Sequence, residues 1–104
     1  MFARLDEWSS QSALDAVRGA KYATLTGDVD LSTRRIEQAI DLDVNCVEAY
    51  LAAIDLAEVQ DDESTAKYRT RQAYGLAPED PRVLAIAEDY GLILGPTLAV
   101  PPGL

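Results

Sequence analysis

Three breaks divide this sequence at equal intervals. Their centres are Gly27, Asp61 and Gly95, two steps of 34 residues. Laid over itself at that offset, the chain places Arg35 on Arg69, Gln38 on Gln72, Ala39 on Ala73 and Leu42 on Leu76. Tyr22, Leu56 and Tyr90 share one column, and the small residues Gly19, Ala53 and Ala87 share another. A unit of this length holds two helices and their turns. It cannot bury its apolar face alone, so successive units must stack.

The local pattern agrees with that constraint. Apolar and small residues recur at three- and four-residue steps between Ser10 and Leu25, including Ala13, Leu14, Val17 and Ala20. Further helices are predicted over about 31–42, with Asp30 or Ser32 as N-cap, then 47–59, 65–76 and 82–94. Pro81 suits the first position of the last one, which is expected to end at Gly95-Pro96. Residues 95–104 should be extended, because Pro101 and Pro102 cannot lie inside a helix. Phe2, Leu5 and Trp8, three residues apart, suggest a short separate cap over 1–9. Alternating strand patterns are lacking. The expected fold is all-α, with short loops forcing neighbouring helices antiparallel.

The stretch IEQAIDLDVNCVEAYLAAIDLAEVQDD resembles the tetratricopeptide repeat family: a helix end, a short turn, an aromatic residue, then a helix of small residues. On that register 13–46 is one repeat, 47–80 a second and 81–94 the first helix of a third. The match spans about 80% of the chain. The family's aromatic near the repeat start is matched by Tyr50 but not by Ala16, and Leu84 stands there in the third unit. Its small residue early in the second helix is met by Ser32 and Ala66, and its late alanine by Ala39 and Ala73. Pro78 meets the closing proline, which Val44 replaces in the first unit; Ala20 meets the next small column, from which Ile54 and Glu88 depart. The resemblance implies a short right-handed solenoid of about two and a half repeats that works by binding proteins. That is fewer than the usual three, so a cap or self-association is expected to complete it.

Charge narrows the partners. Eighteen acidic residues oppose nine basic ones, a net charge of −9, and histidine is absent. Phosphate backbones and anionic lipid surfaces are attracted to basic proteins, so nucleic acid and membranes are not expected partners, whereas basic proteins or peptides are. No apolar run approaches the roughly 20 residues needed to span a bilayer. The N-terminus lacks the pattern of a secretion signal, and Cys46 is the only cysteine, so the expected location is cytoplasmic.

Asp41, Asp43 and Asn45 alternate like the start of a calcium loop. Such a loop needs glycine at its sixth position and glutamate at its twelfth, and Cys46 and Ala52 stand there instead. The segment therefore reads as an inter-helix turn. Without histidine the commonest proton shuttle is missing, and Cys46 lies beside Asp43 and Glu48, whose charges oppose a thiolate. Phosphate-loop and zinc-ligand patterns are also lacking. The expectation is a non-enzymatic protein with no cofactor and no metal.

By the resemblance, a partner-binding groove would be lined by Leu14, Val17, Lys21 and Leu25, then Glu48, Leu51, Asp55, Glu58 and Val59. Arg82, Ala85, Asp89, Leu92 and Ile93 would complete it. The family's carboxylate clamp does not carry over, because this groove offers acids where the clamp needs bases. From Asp41 to Glu63 there are eight acids and no lysine or arginine, while Arg34, Arg35, Lys67, Arg69 and Arg71 fall on second helices. An acidic groove with a basic back suits a cationic segment. A merely solvated face is the plainer alternative. The last helix carries apolar residues on more than one face, among them Ile86, Leu92, Ile93 and Leu94. They should be covered by the tail residues Leu98, Val100 and Leu104, by a second copy or by a larger partner. Three functions therefore stand open. They are an adaptor using the acidic groove, a structural subunit or assembly chaperone using the apolar end, and an acidic mimic of nucleic acid.

Overall fold

The computed structural model describes the backbone of residues 2–104 and the side chains of 11–104. The described residues form five helices and no strand: α1 (Phe2–Leu25), α2 (Val29–Leu42), α3 (Val47–Val59), α4 (Glu63–Leu76) and α5 (Pro81–Asp89). The expected separate cap over 1–9 does not exist as its own element. With no proline or glycine before Gly19, nothing interrupts the backbone, and α1 runs on from Phe2. The side chains of Phe2, Leu5 and Trp8 lie outside the described residues.

Turn chemistry sets the other boundaries. α1 closes where Gly27 adopts φ +82°, its amide donating to Thr24 O while that of Asp28 donates to Ala23 O. The same pair of bonds recurs 34 residues later at Asp61 (φ +54°) and Asp62, which donate to Glu58 O and Ala57 O. Aspartate tolerates the left-handed conformation better than bulkier residues. The third such turn falls at Gly91 (φ +68°), not at Gly95, so α5 ends at Asp89 and not at Leu94. The glycine occupies the place that Ala57 holds in α3, and the amides of Gly91 and Leu92 bond Glu88 O and Ala87 O one helical turn early.

Asp28 and Asp62 cap α2 and α4 by accepting from Leu31 N (3.1 Å) and Thr65 N (3.2 Å). Both helices consequently start two residues earlier than the sequence pattern suggests. Neither Asp30 nor Ser32 is the cap. Asp30 lies in the first turn of α2. Ser32 is fully buried and ties α2 to α1, its hydroxyl donating to Ala20 O (3.1 Å) and meeting Thr24 Oγ1 at 2.6 Å.

α1 pairs with α2, α3 with α4, and α3 also packs on α1 and α2, while α5 rests on α4. The molecule is 21 Å thick along its shortest axis, about two helix diameters. Alanines at the contacts (Ala13, Ala16, Ala20, Ala39, Ala49, Ala53, Ala57, Ala66, Ala73) allow close approach. α3 is the central element: every residue from Ala49 to Ala57 is buried except Asp55. An apolar helix of that kind must be enclosed.

The tail does fold back, and its hydrogen bonds go to α4 and to Tyr50 of α3. Leu98 is buried, Val100 is half-buried, and Leu104 stays exposed. Arg71 Nε donates to Leu98 O (2.8 Å), Gln72 Nε2 to Pro101 O and Gly103 O (3.0 Å each), and Arg69 Nη1 to Gly103 O (2.9 Å). The phenol of fully buried Tyr50 joins two distant segments, donating to Val44 O (2.6 Å) and accepting from Gly103 N (3.0 Å). Tyr50→Phe leaves both backbone groups without this partner. The expected loss is about 1–3 kcal/mol in urea unfolding, with the helical circular-dichroism signal retained.

Candidate functional site

The groove expected from sequence is split by the structure into parts with different chemistry. Lys21, Thr24 and Leu25 of α1 face Ala52, Asp55, Glu58 and Val59 of α3 across an open cleft of about 550 Å³. Both walls follow from helical spacing: Lys21 and Leu25 are four residues apart, as are Asp55 and Val59. Of the other expected groove residues, Leu14 is half-buried, while Val17 and Leu51 belong to the core at 2% and 8% exposure. They hold the helices together beneath the cleft.

Glu48 and Arg82 form a pair of their own. The Arg82 guanidinium meets both carboxylate oxygens of Glu48, at 2.8 and 2.9 Å, and also Asp80 Oδ2 at 2.8 Å. Hydrogen bonds to Asp80 and then Glu48 hold Arg82 well above its ordinary pKa. This bridge joins α3 to α5 and cancels one of the two acidic charges there.

A second cleft, about 440 Å³, opens on the other side of Glu58. Asp61, Asp62, Glu63, Ile86, Asp89 and Tyr90 complete its lining. Tyr90 donates to Glu58 Oε1 at 3.1 Å. Partial burial first, and then the bond to the charged Glu58, push the Tyr90 phenol up. Glu58 is the ridge between the clefts, and its neighbours make one acidic surface with a single facing base, Lys21, among the lining residues. Ile86 is half-buried and Asp89 exposed; Ala85 is exposed, and Leu92 is half-buried just past the helix. Ile93 and Leu94 lie beyond the true end of α5, with Ile93 87% exposed.

Asp55 is the electrostatic centre. Its carboxyl stands above the ordinary aspartate value, chiefly because the cleft withdraws water, then because Glu58 repels it, with Lys21 opposing. Asp62 and Asp80 lie below the ordinary value through hydrogen bonds from Thr65 and Arg82. The alternating acids of the 41–46 segment serve the chain itself, since Asp43 Oδ1 accepts from Asn45 N at 3.1 Å. Among the described residues no group of three or more histidine, cysteine, aspartate or glutamate side chains gathers as metal ligands would. Cys46 is buried, and burial pushes its thiol up. No helix of the described residues is long and apolar enough to cross a membrane.

Sequence reasoning missed the use made of the outer-layer bases. Lys67 pairs with Glu63 (3.1 Å), Arg35 with Gln38, and Arg69 and Arg71 with the tail. The recurrence of Arg35–Gln38 as Arg69–Gln72 was visible, but only the fold brings tail carbonyls to the second pair. Compared with protein-family models, with curated proteins and with solved structures, the chain matches none.

The shifts have opposite signs in folding. Asp55 binds its proton more tightly in the folded chain, so its contribution to stability falls as pH rises through its raised value. Asp55→Asn should therefore raise the unfolding midpoint at pH 7, with the gain shrinking below the ordinary carboxylate range. Asp62 and Asp80 favour folding above that range and lose the effect as pH falls through their lowered values. Asp62→Ala should lower the midpoint at pH 7 and converge on the parent in acid, as thermal melts across pH would record.

Proposed function

We propose that this chain is a non-enzymatic interaction adaptor that binds a basic segment of a protein partner in the acidic cleft between α1 and α3. Its framework is read as about two and a half tetratricopeptide-like repeats, stacked as a short right-handed solenoid acting in the cytoplasm. The repeated caps and turns at 34-residue spacing support the repeat reading. The continuous surface Asp55, Glu58, Asp61 and Asp89, edged by Leu25, Val59, Ile86 and Tyr90, carries the functional one. Carboxylates steer and select a cationic segment, and the apolar edge supplies the anchors that charge alone lacks. Nucleic acid and membrane surfaces are poor partners for such a face.

A second reading rests on a different observation. Ile93 is 87% exposed and Leu94 and Leu104 are also bare, which suits a structural subunit or assembly chaperone contacting through the apolar end, or a homodimer. Ile93→Asp would then abolish self-association in analytical ultracentrifugation.

The first reading is tested with a fluorescent peptide of alternating lysine and leucine. Asp55→Lys with Glu58→Lys should weaken binding about tenfold or more at low salt, and added salt should weaken the parent likewise, with folding unchanged. Equal affinity in both proteins, indifferent to salt, overturns it.

A further inference from the structure

Residues 97–104 dock onto α4 as a ligand docks in a receptor. Every donor that α4 side chains give the tail goes to a backbone carbonyl: those of Thr97, Leu98, Pro101 and Gly103. The tail returns Val100 N to Arg71 O (3.4 Å) and Gly103 N to the Tyr50 hydroxyl. Pro101 and Pro102 have no amide hydrogen to leave unpaired. Among the tail's aliphatic side chains only Leu98 is buried, at 6% exposure, whereas Pro101, Pro102 and Leu104 face solvent. Recognition thus reads an extended backbone with one apolar anchor, the mode by which proteins take up peptide segments.

The receptor side also has hydrogen bonds within itself. Gln72 is 1% exposed, and its amide is aimed by Arg69, which donates to Oε1 at 2.8 Å. The Tyr50 hydroxyl is held by Val44 O. Gly75 lets the strand approach closely: a Cβ there would lie 3.2 Å from Val100 O and 3.4 Å from Ala99 Cβ. Of these features the first helix pair keeps only the bond from Arg35 to Gln38. The residues 34 earlier are Glu37, Asp41 and Ala16 in place of Arg71, Gly75 and Tyr50, and Gln38 is exposed. The strap is joined to α5 by residues 91–96, in which Gly91 and Gly95 have positive φ and open space around them.

We propose that α4 and Tyr50 form a receptor for an extended, proline-containing peptide segment of another protein. Residues 97–104 occupy it in cis and give way to that segment when the strap lifts. The cis strap competes at the high local concentration of a tethered ligand, so the site is largely closed in the resting chain.

The probe is a fluorescent peptide with the sequence of residues 97–104, TLAVPPGL, followed by anisotropy. Leu98→Asp in the full chain weakens the strap and should increase peptide affinity at least about tenfold over the parent. Gln72→Leu added to it should remove that binding. Should Leu98→Asp lose its helical circular-dichroism signal, Leu98→Ala carries the same test, since it removes the strap's apolar anchor without burying a charge. Gly75→Cys with Ala99→Cys places two Cβ atoms close to disulfide spacing. Oxidation should lock the strap as a covalent monomer that binds less peptide than its own reduced form, in which the Cβ at position 75 already crowds the strap. The proposal is overturned if no folded strap variant binds the peptide better than the parent. Binding that survives Gln72→Leu, or oxidation that yields linked dimers, overturns it equally.

Discussion

Enclosure of α3 is the constraint on which the remaining structure depends. A helix with alanine, leucine, isoleucine and tyrosine around most of its circumference must be covered by α1, α2 and α4 together. Alanine at the crossings allows the close approach, so little volume separates the helix axes and few large side chains are needed. Because α3 is so nearly wrapped, its few exposed residues stand out. Asp55, Glu58 and Val59 are what the packing leaves uncovered, and they form the heart of the acidic surface.

That surface keeps its charge because neighbouring bases are engaged elsewhere. Arg82 answers Glu48 and Asp80. Arg69 and Arg71 are turned to the tail on the opposite layer. Lys21 alone faces Asp55, and its attraction is outweighed by lost water and by Glu58. A cationic group entering the cleft would offset the repulsion between Asp55 and Glu58, and this is the physical reason for favouring a basic ligand there.

Beyond α4 the regular pairing of helices gives way. α5 stops a turn short at Gly91, and the residues that a longer helix would have taken become a linker and a strap. The strap covers α4 with backbone hydrogen bonds and one leucine, while Ile93 and Leu94 remain in solvent. Apolar groups so placed gain from any further contact, which is why the apolar end stays a second candidate surface.

Much of this was legible in advance. Periodicity located all five helices, because turn residues and the 3.6-residue rhythm act locally, and the all-helical class follows. The sequence also decided the excess of acid and the gathering of Asp55 and Glu58 on one helix. It did not reveal that Gly91 outranks Gly95, since either can end a helix and only the competing hydrogen bonds choose. Nor did it reveal that Val17 and Leu51 are core, that Glu48 and Arg82 neutralise one another, or that Tyr50 and Gln72 receive the tail. Those outcomes depend on groups 29 to 53 residues apart meeting in space, the longest being the Tyr50–Gly103 bond. Helical rhythm is written in neighbours along the chain; partnership between distant polar groups exists only once tertiary packing has removed water from between them.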